Sequence, residues 1–154
     1  MFKKENIYFF SFILIIFSLD RYSKNLILNL LENDKYLFIN NYLNLNLVFN
    51  TGIGFGLFSL NAGIYYNMLS ILIFFIILVL IYLMLKSKPS EKIFFSFIIG
   101  GAIGNLYDRI IFKAVPDFID FHIKDFHWFT FNIADIFISI GIIFMILNEI
   151  VLKK

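Results

Sequence analysis

GGAIGNLYDR, Gly100 to Arg109, decides how this chain is read, together with VPDFIDFHIKDFHWF, Val115 to Phe129, and FNIAD, Phe131 to Asp135. The first piece is the end of an apolar helix. The second leaves that helix, and the third enters another. Asp108, Asp117 and Asp135 fall at or near the ends of segments otherwise built for lipid. An ionisable side chain in such a place is costly, so its default reading is functional.

The surrounding composition agrees with lipid as the solvent. Of 154 residues, 60% are hydrophobic, 22 are Phe and only 16% are charged. A soluble domain carries about 25% charged residues. The chain is therefore read as a single integral membrane domain over residues 1–154. A net charge of +2 gives no electrostatic footprint for nucleic acid. There is no Cys, so there is no thiolate nucleophile and no disulfide. Lys3 and Lys4 precede an apolar run, as in a signal peptide. The run has no small-residue cleavage site and ends at Asp20-Arg21, so it reads as a retained span.

A helical span needs roughly 20 mostly apolar residues. Four segments qualify, at about 7–28, 65–85, 93–112 and 131–152. An even number puts both termini on one side. Lys3, Lys4, Lys86, Lys88, Lys92, Lys153 and Lys154 share that side, against Arg21, Lys24, Lys35, Arg109, Lys113 and Lys124 on the other. The short basic loop from Lys86 to Lys92 is the most diagnostic. It places itself and both termini in the cytoplasm.

The outer loops are then 29–64 and 113–130. In the first, Leu43-Asn44-Leu45-Asn46-Leu47 alternates apolar and polar, which predicts a strand. Gly52, Gly54 and Gly56 follow it and predict a turn or a close backbone approach. A small sheet resting on the membrane is expected. In the second loop Phe118, Phe121, Ile123, Phe126, Trp128 and Phe129 interleave with polar residues. That suits a short amphipathic segment lying in the interface.

This topology gathers the unusual polar residues at one depth. Asp20 and Lys24 lie in the outer part of span one, and Asn105, Asp108 and Arg109 in that of span three. Asn132 and Asp135 open span four, and Asn50 and Asp117 belong to the outer loops. Asp20 and Lys24 are four apart, as are Asn105 and Arg109, so each pair shares a helix face. Simpler readings exist. Asp20 with Lys24, and Asp108 with Arg109, read equally well as structural ion pairs. Asn132 reads also as the N-cap of span four. Gly100 and Gly104 form a GxxxG that reads as helix packing. GIGFG, Gly52 to Gly56, lacks the strand and helix of a dinucleotide loop. His122 and His127 lack metal-site spacing and read as surface histidines, so no metal and no cofactor is expected.

Asp117 and Asp135 resist the structural reading, because neither has a basic neighbour at helical spacing. Two carboxylates close together in a low-dielectric site share a proton. The charged one is then a general base for water, and the protonated one an acid for a carbonyl and a leaving amine. Asp108 in place of Asp117 is the alternative partner for Asp135. Proton-coupled transport by four spans, or a non-enzymatic assembly role, are the competing functions. A transporter is expected to carry charges at several depths, mid-membrane included.

SLDRYSKN (Ser18 to Asn25), FNTGIGFGLFS (Phe49 to Ser59), GGAIGNLYDR, VPDFIDF (Val115 to Phe121) and FNIAD occur in an order that resembles the lipoprotein signal peptidase, or signal peptidase II, family over nearly the whole chain. Pro116 stands where the family usually has Val, and Ser23 where Thr is common. The resemblance implies an all-α polytopic fold of four transmembrane helices with an extracytoplasmic β-cradle and a short periplasmic amphipathic helix. It implies an aspartyl endopeptidase of the bacterial inner membrane, active as a monomer and facing the periplasm or cell exterior. Its substrates are diacylglyceryl-modified prolipoproteins, cut just before the lipidated Cys. It implies Asp117 and Asp135 as the catalytic pair. Asp20, Lys24, Asn50, Gly52, Asn105, Asp108, Arg109 and Asn132 are implied as the supporting, substrate-binding residues.

Overall fold

The computed structural model describes residues 5–52 and 63–152. Lys3, Lys4, Gly54, Gly56, Lys153 and Lys154, used above for topology and for the glycine turn, lie outside the described residues. Helix α1 is Glu5–Leu30, α2 Ile64–Lys86, α3 Pro89–Phe112 and α4 Ile133–Leu152. Strands β1 Tyr36–Asn40 and β2 Leu43–Asn50 lie between α1 and α2. Strands β3 Val115–Ile123 and β4 Phe126–His127 lie between α3 and α4.

Among the described residues three helices are long and apolar enough to cross a membrane: Tyr66–Lys86, Pro89–Phe112 and Ile133–Val151, with mean hydropathies of 3.2, 1.2 and 2.1. The most apolar, α2, is hydrophobic all round, whereas α3 buries most of its length against the other three. Helix α1 carries Asp20, Arg21 and Lys24 in its C-terminal half.

The packing around α3 follows from its small residues. A Cβ on Gly100 would lie 2.8 Å from Ile16 Cβ, and one on Gly104 would lie 2.5 Å from Asp20 Oδ2. The GxxxG is thus the face on which α1 lies, parallel to α3. A Cβ on Gly101 would strike the carbonyl of Ala134, so α4 approaches just as closely from another side. Phe94 stacks on Phe144 and Phe97 on Phe137, which runs α4 antiparallel to α3. Helices α2 and α3 form a tight hairpin with Pro89 in the first turn of α3, where its missing N–H costs nothing.

This arrangement sorts polar residues to two ends. At one end Lys92 is 2% exposed and donates to Glu5 Oε1 at 3.1 Å and Asn6 Oδ1 at 2.7 Å. The start of α1 therefore sits beside the α2–α3 hairpin. At the other end α1 and α3 finish, α4 begins, and the sheet hangs.

The sheet is antiparallel, in the order β1-β2-β3-β4. The alternating segment 43–47 is strand β2, as its period predicts. The segment Phe118 to Phe129 departs from expectation: it forms the end of β3 and then β4, and contains no helix. Its apolar residues alternate at period two, with Phe121 and Ile123 exposed and Phe118 packed on Ile27, Leu31 and Leu47. Among the described residues no helix occurs besides α1 to α4, so the short amphipathic helix has no counterpart there. Pro116 fits near the start of β3, opposite Phe49, and the strand continues through it to Asp117 opposite Val48.

Candidate functional site

The site grows from the start of α4. Asn132 stands just before that helix and Asp135 three residues on. Asn132 N–H donates to Asp135 Oδ2 at 3.2 Å, and Asp135 N–H donates back to Asn132 Oδ1 at 3.0 Å. This is a reciprocal cap built with Asp in place of the usual Glu. Asn132 is therefore the N-cap that its position predicts. Its side-chain nitrogen is left over, and donates to Asp117 Oδ1 at 2.6 Å and to Asn105 Oδ1 at 3.2 Å. One residue thus holds both carboxylates.

Asp117 arrives from β3 and is 3% exposed. Its second oxygen accepts from Asn50 Nδ2 at 3.0 Å, at the end of β2. Asn50 Oδ1 in turn accepts the N–H of Gly52 at 2.8 Å. The carbonyl of Gly52 accepts from Arg109 Nη2 at 2.9 Å, and Arg109 Nη1 donates to the carbonyl of Asn105 at 3.2 Å. Asn105 Nδ2 closes the circuit on Asp135 Oδ1 at 2.8 Å. Asp117 and Asp135 face one cavity of about 300 Å³, with Asn50, Asn105 and Arg109 at its polar end and Ile73, Ile138 and Ile142 along the helices.

Burial pushes the Asp117 carboxyl from 3.8 up to about 7, and the charge of Asp135 pushes the same way. The donors Asn50 and Asn132 act in the opposite sense without cancelling it. Among the described residues neither Asp117 nor Asp135 has a cation within ion-pair distance.

The cations are committed elsewhere. Lys24 Nζ lies 2.9 Å from Asp20 Oδ2, 2.7 Å from Asp108 Oδ2 and 2.9 Å from Asn105 Oδ1, and all three charged side chains are fully buried. Arg21 pairs with Asp108 at 2.6 Å and with Asp20 at 3.2 Å, and lies over the ring of Tyr107 at 4.9 Å. Two carboxylates thus face two cations, as a buried cluster requires. Asp20 Oδ1 also accepts the N–H of Ala134 at 3.1 Å, tying this cluster to the first turn of α4.

Three sequence readings change here. Asp108 and Arg109 do not pair: adjacent helix residues diverge, so Asp108 turns to α1 and Arg109 to the Gly52 carbonyl. The alternative dyad with Asp108 loses its basis, since Lys24 and Arg21 occupy that carboxylate. His122 is 8% exposed and so is not a surface histidine. Arg21, counted above only as a loop charge, is the partner that sequence reading missed. Its signal was its place between Asp20 and Lys24 on a helix that needs a second cation. All ten expected site residues nonetheless gather at this end of the bundle.

The sequence pattern of the signal peptidase (SPase) II family matches residues 12–151. The lipoprotein signal peptidase of Pelagibacter ubique is 50% identical over 140 residues, covering 90% of this chain and 84% of that one. That of Francisella tularensis subsp. mediasiatica is 40% identical over 150 residues, covering 95% and 93%. A solved bacterial membrane enzyme, determined by the in meso method at 1.9 Å, superposes with a TM-score of 0.76 at 26% identity, covering 92% and 91%. A second such enzyme structure, at 2.3 Å, gives 0.75 at 25% identity over 95% and 91%. With the family pattern spanning nearly the whole chain and relatives matching at this level, the chain belongs to the signal peptidase II family.

Proposed function

We propose that the chain is a membrane aspartyl endopeptidase that removes signal peptides from lipid-modified prolipoproteins, with Asp117 and Asp135 as its catalytic pair. The observation that carries this reading is the placement of both carboxylates on one cavity, bridged by Asn132 and with no cation among the described residues within ion-pair distance of either. A carboxylate pair in that setting holds one proton between its members. Burial beside Asp135 favours the neutral acid at Asp117, so in this reading the pair shares one proton and Asp117 serves as the acid.

Asp135 then takes a proton from water as the water oxygen attacks the scissile carbonyl carbon. Asp117 donates its proton to the carbonyl oxygen as charge develops there. Collapse of the tetrahedral adduct breaks the C–N bond as the proton gathered by Asp135 passes to the leaving amine, and Asp117 takes a proton back from the hydroxyl that becomes the carbonyl oxygen of the new carboxyl group. Water is consumed, and the pair returns to one proton. Asn50, Asn105 and Asn132 orient the two carboxylates. Arg109 and Gly52 fix the loop beside them, and Asp20, Lys24 and Asp108 hold α1, α3 and α4 in register.

In this reading α1 is the fourth span, its charged residues satisfied inside the bundle rather than in lipid. The sheet and the dyad lie on the outer side of the bacterial inner membrane, the termini in the cytoplasm, and a monomer suffices. The apolar part of the cavity, along Ile73, Ile138 and Ile142, faces the acyl chains of the substrate. The buried Asp20, Asp108 and Asp117 and the half-buried Asp135 gather at one end of the bundle, which does not fit the several depths of a proton path. The family sets the transporter and assembly readings aside.

The test is cleavage of a diacylglyceryl-modified precursor peptide by purified Asp117→Asn and Asp135→Asn. Each is expected to lose cleavage while eluting as a folded protein. Near wild-type turnover in either variant would overturn the assignment.

A further inference from the structure

A second cluster of chemistry-bearing side chains sits on the sheet, apart from the dyad. Asn44 on β2 stands directly opposite Asp120 on β3, and His122 on β3 stands opposite His127 on β4. Three neighbouring strands thus deliver four polar side chains to one place. Asp120 and His122 are 3% and 8% exposed, and Asn44 is 2% exposed. One ligand atom from each of Asp120, His122 and His127 lies within 4.8 Å of the others.

The hydrogen bonds fix which atoms face inward. Asn44 Nδ2 lies 3.2 Å from His122 Nδ1 and 3.3 Å from Asp120 Oδ2. An amide nitrogen only donates, so His122 Nδ1 there is the bare nitrogen with its lone pair. His127 Nδ1 lies 3.0 and 2.9 Å from the two oxygens of Asp120, so it carries the proton between them. Asn44 Oδ1 is buried without a hydrogen-bond partner. A buried orphan acceptor is uncommon and asks for an explanation.

We propose that Asp120, His122 and His127, with Asn44 beside them, form a binding site for one divalent transition-metal ion of the zinc class. Two imidazole nitrogens and one carboxylate oxygen are a donor set that suits such an ion. Tetrahedral bonds of about 2.0–2.1 Å separate neighbouring ligand atoms by about 3.3 Å. The Asp120–His127 contact is within a few tenths of an ångström of that. The rings of His122 and His127 are stacked, 4.9 Å apart and 16° from parallel. Stacked rings do not aim their lone pairs at one point, so His127, the half-exposed member, must turn about its Cβ–Cγ bond to meet the ion. The ion takes the place of the His127 Nδ1 proton, which moves to Nε2, so neutral His127 loses no proton overall. The ion also replaces the Asn44 amide hydrogen at His122 Nδ1, and the amide turns over to present Oδ1 to the ion, directly or through a water on it.

The site has no local sequence signature. Its ligands come from facing strands rather than from one helix turn, which is why the spacing of His122 and His127 along the chain does not reveal it. The ion's effect follows from what the strands carry. It would clip β2, β3 and β4 together, and β2 holds Asn50 while β3 holds Asp117 three residues before Asp120.

The experiment uses the full, untagged chain in detergent, freed of metal with a chelator and titrated with Zn²⁺ alone. Wild type is expected to bind one equivalent and to rise in Tm. Co²⁺ in its place is expected to show visible d–d absorption of a site with nitrogen ligands. Asp120→Asn and His122→Ala/His127→Ala are expected to lose both signals. Asn44→Ala is expected to weaken Zn²⁺ binding about 10–100-fold, as loss of a supporting partner does. His127→Ala alone is expected to fold and, in chelator, to cleave as wild type does. Asp117→Asn serves as the control for an ion lodged in the dyad and is expected to bind as wild type does. Failure of wild type to bind Zn²⁺ overturns the proposal, as does equal binding by the histidine variants. Loss of binding in Asp117→Asn with retention in the histidine variants would place the ion at the dyad and overturn it too.

Discussion

The side-chain amide of Asn132 donates to Asp117 Oδ1 at 2.6 Å while the same residue caps the helix that carries Asp135. In the proposed mechanism capping and catalytic alignment are therefore joined in one side chain, and substitutions can separate them. Asn132→Ser keeps a good cap but is too short to reach Asp117. It is expected to retain most of the Tm yet lose kcat by about 10–100-fold, the equivalent of one hydrogen bond to a charged group. Asn132→Ala is expected to lose the same activity and about 1 kcal/mol of stability besides. Equal kcat in wild type and Asn132→Ser would show that the cap is its whole role.

The pH dependence follows from Asp117. Its folded carboxyl titrates near 7 rather than 3.8. In the proposed mechanism activity needs one proton on the pair, so kcat/KM is expected to fall as pH rises through about 7, with an apparent value that belongs to the pair. Stability has the matching sign. The folded state holds the Asp117 proton more tightly than the unfolded chain does. That contribution is complete below about 4 and is lost as pH rises through about 7. Thermal melts of wild type and Asp117→Asn across this window check it, since other groups are common to both. The variant is expected to show the shallower decline; parallel curves would mean that Asp117 titrates normally.

The buried ion cluster makes its own demand. Removing Lys24 leaves Asp20 and Asp108 with Arg21 as their remaining ion-pair partner among the described residues. Lys24→Met is expected to cost about 3–5 kcal/mol, as uncompensated buried charges do. Asp20→Asn in the Lys24→Met background is expected to recover part of that loss, because the asparagine oxygen still accepts from Ala134. Additive losses in this double-variant cycle would show that the two residues do not interact.

Local pattern carried much of this into the sequence. The period of Leu43 to Leu47 marks β2, and apolar length marks α2, α3 and α4. Polar residues near segment ends gather at one end of the bundle once the segments are threaded. What the sequence concealed depends on the direction of side chains and on contacts between distant strands. Asp108 and Arg109 are neighbours in sequence but diverge on the helix. Phe118 to Phe129 is apolar enough for an interface helix, yet β2 offers it a partner edge and it pairs. His122 reads as a surface residue because nothing local shows that Asn44 and Asp120 cover it.

Orientation is tested by single cysteines, since the chain has none of its own. Ser87 joins α2 to α3 at the end where Lys92 meets Glu5. Asp34 is exposed on the turn after α1, at the opposite end. Ser87→Cys is expected to react with an impermeant maleimide only after the membrane is opened, and Asp34→Cys in intact cells. The reverse pattern would invert the orientation.

The last expectation concerns how the substrate is chosen. The cavity that holds Asp117 and Asp135 continues from Asn50, Asn105 and Arg109 to Ile73, Ile138 and Ile142. In the proposed reading its polar end meets the peptide, and its apolar end lies along helices that face lipid. A diacylated cysteine keeps its chains in the leaflet, so the bond on its N-terminal side comes to the depth of the dyad without a search in three dimensions. Holding both reactants in one leaflet converts part of the encounter cost into binding, which is a proximity gain. Contacts made by acyl chains remote from the reacting bond also support orientation at that bond. The diacylglyceryl-modified precursor is thus expected to show a much higher kcat/KM than the same peptide without lipid, measured in the same micelle or bilayer. Ile138→Asp, which puts a charge into the apolar end, is expected to narrow that preference while leaving slow cleavage of the unlipidated peptide. Equal kcat/KM for the two substrates in wild type would sink this account of recognition while leaving the carboxylate chemistry standing.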